Sequence, residues 1–319
     1  MVEEYDYAPR LASDHLRVGN PARGAWVSVQ RHFREMGVNV QESDFTVVGI
    51  GDMAGDVFGN GMLLSQHIKL VGAFNHRHIF IDPDPDPAAS FAERRRLFDL
   101  PRSSWEDYDS KLISEGGGVY SRDAKSISVT PQMRDLFDIE VSQLTPNELI
   151  SHLLKARVDL LWNGGIGTYV KSSDETHFDV GDKANDGLRV NGDELRCKVV
   201  GEGGNLGMTQ LARVEYCLAG GRSNTDFIDN AGGVDTSDHE VNIKILLNAV
   251  VARGDLTEKQ RNALLQEMTD SVSELVLRNN YRQVQSISLV EMQADERFGE
   301  YQGFIEDMEE MGRIDRALE

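Results

Sequence analysis

The run Gly49-Ile50-Gly51-Asp52-Met53-Ala54-Gly55 follows the apolar residues Thr46-Val47-Val48 directly and opens a helical pattern. No other feature constrains the fold so tightly. A chain that leaves a strand through two spaced glycines and turns at once into a helix aims main-chain N–H groups and a helix N-terminus at one point. That arrangement receives a pyrophosphate. Gly49 permits the tight turn, Gly51 lets the main chain approach, and a small residue at Ala54 allows helix and strand to pack closely. Standing alone, such a run is equally an ordinary Gly-rich turn, so its setting decides its meaning.

The setting is an alternation of short β-branched runs with longer helical patterns, which predicts βαβ units around a parallel sheet. Strands are expected at Phe45–Ile50, Lys69–Phe74, Val158–Trp162, Lys198–Gly201 and Asp226–Ile228, and helices at Ala25–Met36, Gly55–His67, Ala88–Leu97, Pro146–Ala156 and Met208–Ala219. Between them lies an irregular insertion, 75–145, holding Asp82-Pro83-Asp84-Pro85-Asp86-Pro87. Each residue before a proline is pushed out of the helical region, so this run reads as an extended, solvated connector rather than a calcium loop. Beyond about Val234 the pattern is wholly helical. Val241, Ile245, Leu246 and Val250 form one apolar stripe, read as core and subunit packing; Thr257–Leu277 forms a second helix, and Val290–Leu318 one or two polar ones.

Two further signals narrow the function. Lys and Arg total 33 against 53 Asp and Glu, a net charge of −20, which repels nucleic acid and anionic lipid. Cys197 and Cys217 form no CxxC pair, no run approaches the roughly 18 apolar residues of a membrane span, and the start Met-Val-Glu-Glu-Tyr has no signal pattern. A cytoplasmic protein without a metal site is expected; His76 and His78 lack a third ligand at a sensible spacing.

Three more Gly-rich segments follow expected strands: Asn163-Gly164-Gly165-Ile166-Gly167, Glu202-Gly203-Gly204-Asn205 and Asn230-Ala231-Gly232-Gly233-Val234. Each alone is more often a turn than a site. Four strand exits on one sheet, three presenting an Asn that both donates and accepts, suit a carboxamide and ribose hydroxyls. The acid expected some 20 residues after the first Gly loop is absent. Strand two ends Ala73-Phe74-Asn75-His76-Arg77, and Asn75 could bond a ribose hydroxyl while Arg77 could pair with a 2′-phosphate.

With these motifs the chain resembles the amino-acid dehydrogenases, which carry similar Glu-Gly-Ala-Asn and Asn-Ala-Gly-Gly-Val segments. Through Gly49–Gly61, Asp82-Pro83-Asp84-Pro85 and Leu161–Tyr169 it resembles the very long bacterial NAD-specific glutamate dehydrogenases, from about Ala22 to Glu319. The resemblance implies NAD as cofactor, and hydride transfer from Cα of L-glutamate to give 2-oxoglutarate and ammonium. It implies that Gly51, Asp52, Met53 and Ala54 line the pyrophosphate, that Asn163 and Asn205 face the nicotinamide ribose, and that Asn230 approaches the nicotinamide. The family's catalytic lysine and aspartate belong to a preceding substrate domain, and none of the nine lysines here sits in a matching Gly-rich loop. Residues 6–21 depart from the family's Gly/Ser-rich stretch.

The expected architecture is therefore α/β: a Rossmann-like, doubly wound, mostly parallel sheet with an irregular insertion and a helical C-terminal extension. Its divisions are a divergent segment 1–24, an NAD-binding domain 25–240 and a helical region 241–319. Cofactor contacts are expected from Gly49, Gly51, Asp52, Met53, Ala54, Asn75, Asn163, Gly203, Asn205 and Asn230, with no catalytic residue present. The isolated chain should be nearly inactive, and the full-length protein a homo-oligomer binding glutamate through the absent domain. The alternatives are a non-catalytic dinucleotide-binding module and a dehydrogenase of another amino acid.

Overall fold

The computed structural model describes residues 19–317. Most of the segment 1–24 lies outside these residues; its last part, from Asn20, already belongs to the first described helix, Asn20–Glu35.

A six-stranded sheet organises the α/β fold, in the order Val199–Glu202, Leu160–Asn163, Phe45–Ile50, Ile68–Phe74, His78–Ile81, Gly118–Ser121. The first four strands are parallel, and the last two are each antiparallel to the strand before them. The sheet is thus mixed rather than mostly parallel. The four parallel strands fall within two residues of their expected bounds, because short, almost wholly apolar runs leave little freedom in where a buried strand sits. The insertion is not irregular: it supplies both antiparallel strands, the helices Pro87–Asp99 and Pro131–Phe137, and a small ladder of Ile127–Ser128 with Gln143–Leu144.

Side chains alternate across the strands and feed two cores. Val48, Ile50, Val71, Leu161 and Val200 pack with Leu149, Ile150 and Leu153 of the helix Pro146–Leu154. Val47, Leu70, Leu160, Trp162 and Val199 pack with Ala25, Trp26, Val29 and Phe33 on the opposite face. Helices therefore cover both faces. Trp162 is fully buried, and burial of an apolar side chain of this kind stabilises by about 1.5–3 kcal/mol.

The connector Asp82–Pro87 is extended but not simply solvated. Asp82 is fully buried and accepts from Ser114 N at 3.0 Å, and burial raises its carboxyl above the usual range. Asp86 caps the helix Pro87–Asp99 by accepting from Ala89 N at 2.8 Å.

The C-terminal helices run Ala231–Ala252 and Glu258–Glu310, the latter with non-helical backbone at Arg297. The boundary placed at 240/241 falls inside the first of these. Both pack on the helix Asn20–Glu35 through buried polar contacts: Asn20 Nδ2 donates to Thr236 Oγ1 at 2.9 Å, and Ser273 Oγ donates to Asn20 Oδ1 at 2.7 Å. The stripe on Ala231–Ala252 is not core in this chain. Val241 is 54% exposed, Ile245 63% and Leu246 64%. Among the described residues no helix is long and apolar enough to cross a membrane.

Candidate functional site

The four parallel strands end in one row. Register pairs Glu202 with Asn163, Asn163 with Ile50, and Ile50 with Phe74, so their exits lie side by side. Main-chain bonds tie each exit to the next: Gly51 N donates to Phe74 O at 2.7 Å, Gly164 N to Ile50 O at 2.9 Å, and Gly203 N to Asn163 O at 2.9 Å. Gly49, Gly51, Asp52, Asn75, Asn163 and Gly203 are thereby brought to one rim.

Within the first loop the glycines serve close packing. A Cβ on Gly49 would meet the Phe58 ring at 2.4 Å, and one on Gly51 would meet Phe58 Cβ at 2.8 Å. Gly51 also has φ +137°, which side-chain-bearing residues rarely adopt. Ala54 does not mediate helix–strand packing; it is exposed, and Met53 is buried instead. That packing falls to Gly61, whose Cβ would lie 2.4 Å from Trp162, and to Gly59, which sits on Met53 O. The helix runs only Asp56–Gly61 rather than to His67.

Asp52 Oδ1 accepts from Ala54 N at 3.0 Å and Gly55 N at 3.1 Å, while Oδ2 accepts from Asn75 Nδ2 at 2.8 Å. Asn75 is built into the turn joining Ile68–Phe74 to His78–Ile81. Its Oδ1 accepts from Arg77 N and His78 N at 2.8 and 2.7 Å, and its carbonyl accepts from Arg122 at 3.0 Å.

Asn163 is buried, accepts from Gly165 N at 3.3 Å through Oδ1, and leaves Nδ2 without a partner. Asn205 is exposed, and with Asn230 it lines a cleft of about 870 Å³ that also takes in Thr209, Arg213, Asp226 and Asn279. Asn230 Nδ2 donates to Gly203 O, joining the last two motifs. The fourth motif is not a strand exit. Asp226–Asp229 is a helical turn behind Thr225, and Asn230 is the junction to Ala231–Ala252. The aspartates that give this turn its N-terminal character also bond outward: Asp226 Oδ2 accepts from Leu206 N at 2.8 Å.

Sequence reasoning missed the ionic cluster beneath these loops. Arg213 donates to both oxygens of the fully buried Glu202, at 3.0 and 2.9 Å, and lies 3.3 Å from Asp226. Asp229, also fully buried, accepts from Glu202 N at 3.0 Å and from Asn224 at 3.2 Å. Burial pushes Glu202 up to about 7 and Asp229 up to about 6, against the pull of Arg213. Glu202 and Asp229 therefore hold protons more readily than free carboxyls do. The signal available was Glu202 itself, a charge placed between an apolar strand and two glycines.

Two observations fit a dinucleotide. Neither Asp52 N nor Met53 N has a protein partner among the described residues, and Asn163 Nδ2 is an orphaned buried donor. None of the residues placed on this rim is a lysine; Lys69, Lys155, Lys198 and Lys244 are held in ion pairs, and Lys171 bonds Asn191 Oδ1. Among the described residues no group of three or more His, Cys, Asp or Glu could hold a metal ion.

Residues 9–290 match the family model described as the bacterial NAD-glutamate dehydrogenase, catalytic domain. The chain is 70% identical over 306 residues to the NAD-specific glutamate dehydrogenase of Pseudomonas aeruginosa and 66% identical over 306 residues to that of Halomonas elongata. Each alignment covers 96% of this chain but only 19% of the relative, so the chain spans about a fifth of their length. Among solved structures, the hetero-hexameric glutamate dehydrogenase of Thermus thermophilus aligns at 12% identity with a TM-score of 0.44, covering 88% of this chain and 48% of that one.

Proposed function

The chain belongs to the bacterial NAD-glutamate dehydrogenase family, and from that premise we propose that it supplies the dinucleotide-binding part of such an enzyme. The row of cross-linked strand exits carries this reading. Glu202, Asn163, Ile50 and Phe74 stand in register, with the main-chain N–H groups of Asp52 and Met53 beside them lacking protein partners among the described residues. In open α/β sheets such an edge is where ligands bind.

On this reading the sheet is a Rossmann-like, doubly wound one carrying antiparallel edge strands. The N–H groups of Asp52 and Met53 hold the pyrophosphate, with Gly49, Gly51 and Ala54 shaping the loop. Asn163, Gly203 and Asn205 meet the nicotinamide ribose and Asn230 the nicotinamide. Bound NAD supplies the hydride acceptor for L-glutamate oxidation to 2-oxoglutarate and ammonium. The chain's own residues orient that acceptor and brace the loops through Glu202, Arg213 and Asp229. The NAD-binding unit runs from the helix Asn20–Glu35 to Asp229 and the helical unit from Ala231 onward, and the full-length protein is a cytoplasmic homo-oligomer.

The family model is described as the catalytic domain, whereas none of the residues placed on the rim is a lysine. The isolated chain should accordingly bind cofactor without turnover, because orienting a dinucleotide without a base or a substrate clamp accelerates little. The test is calorimetric titration of the purified chain with NAD⁺, alongside an assay of glutamate-dependent NADH formation. Saturable binding that is lost in Gly51→Val, with folding checked by circular dichroism, is the expected result. Absence of binding by a folded wild-type chain overturns the reading, and measurable turnover overturns the claim of inactivity.

A further inference from the structure

We propose, building on the dinucleotide reading above, that Asp52 is the residue that selects for an unphosphorylated adenosine ribose. Its carboxylate substitutes for the acid that strand two lacks. Sheets of this kind that take a free ribose diol usually place a carboxylate at the end of the second strand, where it accepts from the hydroxyls and repels a 2′-phosphate. Here that strand ends in Phe74-Asn75, and the next acid, Asp82, is buried and engaged by Ser114.

The negative charge at this exit comes from the Gly-rich loop instead. Asp52 reaches across from the neighbouring strand and takes the Asn75 Nδ2 bond at 2.8 Å, while its other oxygen sits on Ala54 N and Gly55 N at 3.0 and 3.1 Å. Asn75 is the wrong acceptor for a ribose, since its Oδ1 already takes two main-chain N–H groups and its carbonyl takes Arg122. A carboxylate offers about four lone-pair sites, and three protein donors leave Asp52 room for a hydroxyl.

The surrounding charges make Asp52 decisive. Arg77 is exposed on the same turn, and Arg122 lies against it. Arg77 and Arg122 alone would welcome a 2′-phosphate; with Asp52 beside them, a phosphate meets like charge. The preference thus rests on one side chain, which the Asn75 bond holds in place.

The test is titration of the purified wild-type chain, Asp52→Asn and Asp52→Ser with NAD⁺ and with NADP⁺, folding being verified for each. Both replacements keep an oxygen acceptor for the Ala54 and Gly55 N–H groups; they remove the charge and, with it, the acceptor for Asn75 Nδ2. The ratio of the two dissociation constants should move toward NADP⁺ by about tenfold or more, the scale of a removed like-charge contact. Asp52→Glu, which retains the charge, should keep the wild-type order. If folded charge-removing variants bind NAD⁺ with the ratio unchanged, the role of Asp52 is overturned while the cofactor site stands. If the folded wild-type chain binds neither nucleotide, the cofactor reading falls and this inference with it.

Discussion

Arg213 forms a two-pronged contact with Glu202, at 3.0 and 2.9 Å, and the Glu202 side chain is fully buried. Replacing Arg213 by Met leaves Glu202 without its cation and removes the ion pair with Asp226. Above pH of roughly 8, where the wild-type Glu202 is ionised, stranding that buried charge, or forcing it to take up a proton, costs about 3–5 kcal/mol. Urea denaturation of Arg213→Met should show a loss of that order, and a change below about 1 kcal/mol would contradict the role given to the pair.

The same cluster makes a pH prediction whose sign is set by burial. Glu202 and Asp229 are pushed up to about 7 and about 6, so between pH of roughly 4 and 7 the folded chain holds protons that the unfolded chain has released. Their contribution therefore favours folding at the acidic end of that window and declines as pH rises through it. Denaturation midpoints of wild type and Glu202→Gln, compared from pH 5 to 7.5, isolate the effect. The wild type should lose more stability with rising pH than the variant, and parallel curves would refute it.

Arg94 is a buried cation answered by oxygens rather than by a carboxylate. It donates to Ser90 Oγ at 2.5 Å, Met62 O at 3.1 Å and Ile68 O at 3.5 Å, and burial pushes its guanidinium down to about 10. Arg94→Met should cost about 1–3 kcal/mol, the penalty for unpaired buried carbonyls. Differential scanning calorimetry should register this as a lower Tm, and an unchanged Tm would show those carbonyls to be otherwise satisfied.

The outward stripe Val241, Ile245 and Leu246, with Phe227 63% exposed nearby in the chain, presents more apolar surface than isolated exposed side chains account for. The purified chain should self-associate as concentration rises in sedimentation velocity. Ile245→Glu with Leu246→Glu should return it to monomer; a wild type that stays monomeric throughout would argue against this face being adhesive.

The parallel half of the sheet was readable in the sequence because runs such as Phe45–Ile50 satisfy strand propensity, burial and a glycine exit together. The antiparallel half was not: His78–Ile81 and Gly118–Ser121 are four residues each and pair across an insertion of some 40 residues. Phe227 and Ile228 look like strand residues, yet Thr225 and the flanking aspartates favour a helical turn. The helix begun at Gly55 stops at Gly61, where the backbone packs on Trp162. At the candidate site the glycines and asparagines were legible, but the partners of Asp52 and Arg213 depend on contacts between different strand exits, which spacing along the chain does not reveal. The stripe at Val241 showed that one face is apolar and could not show what lies against it.

The lateral bonds among the strand exits govern how this edge can change by descent. Gly51 is anchored on Phe74, Gly164 on Ile50 and Gly203 on Asn163, so no exit loop depends on its own strand alone. Inserting or deleting one residue in any of them would unseat a neighbour as well. Variation along the rim is thereby restricted to exchanges that preserve loop length.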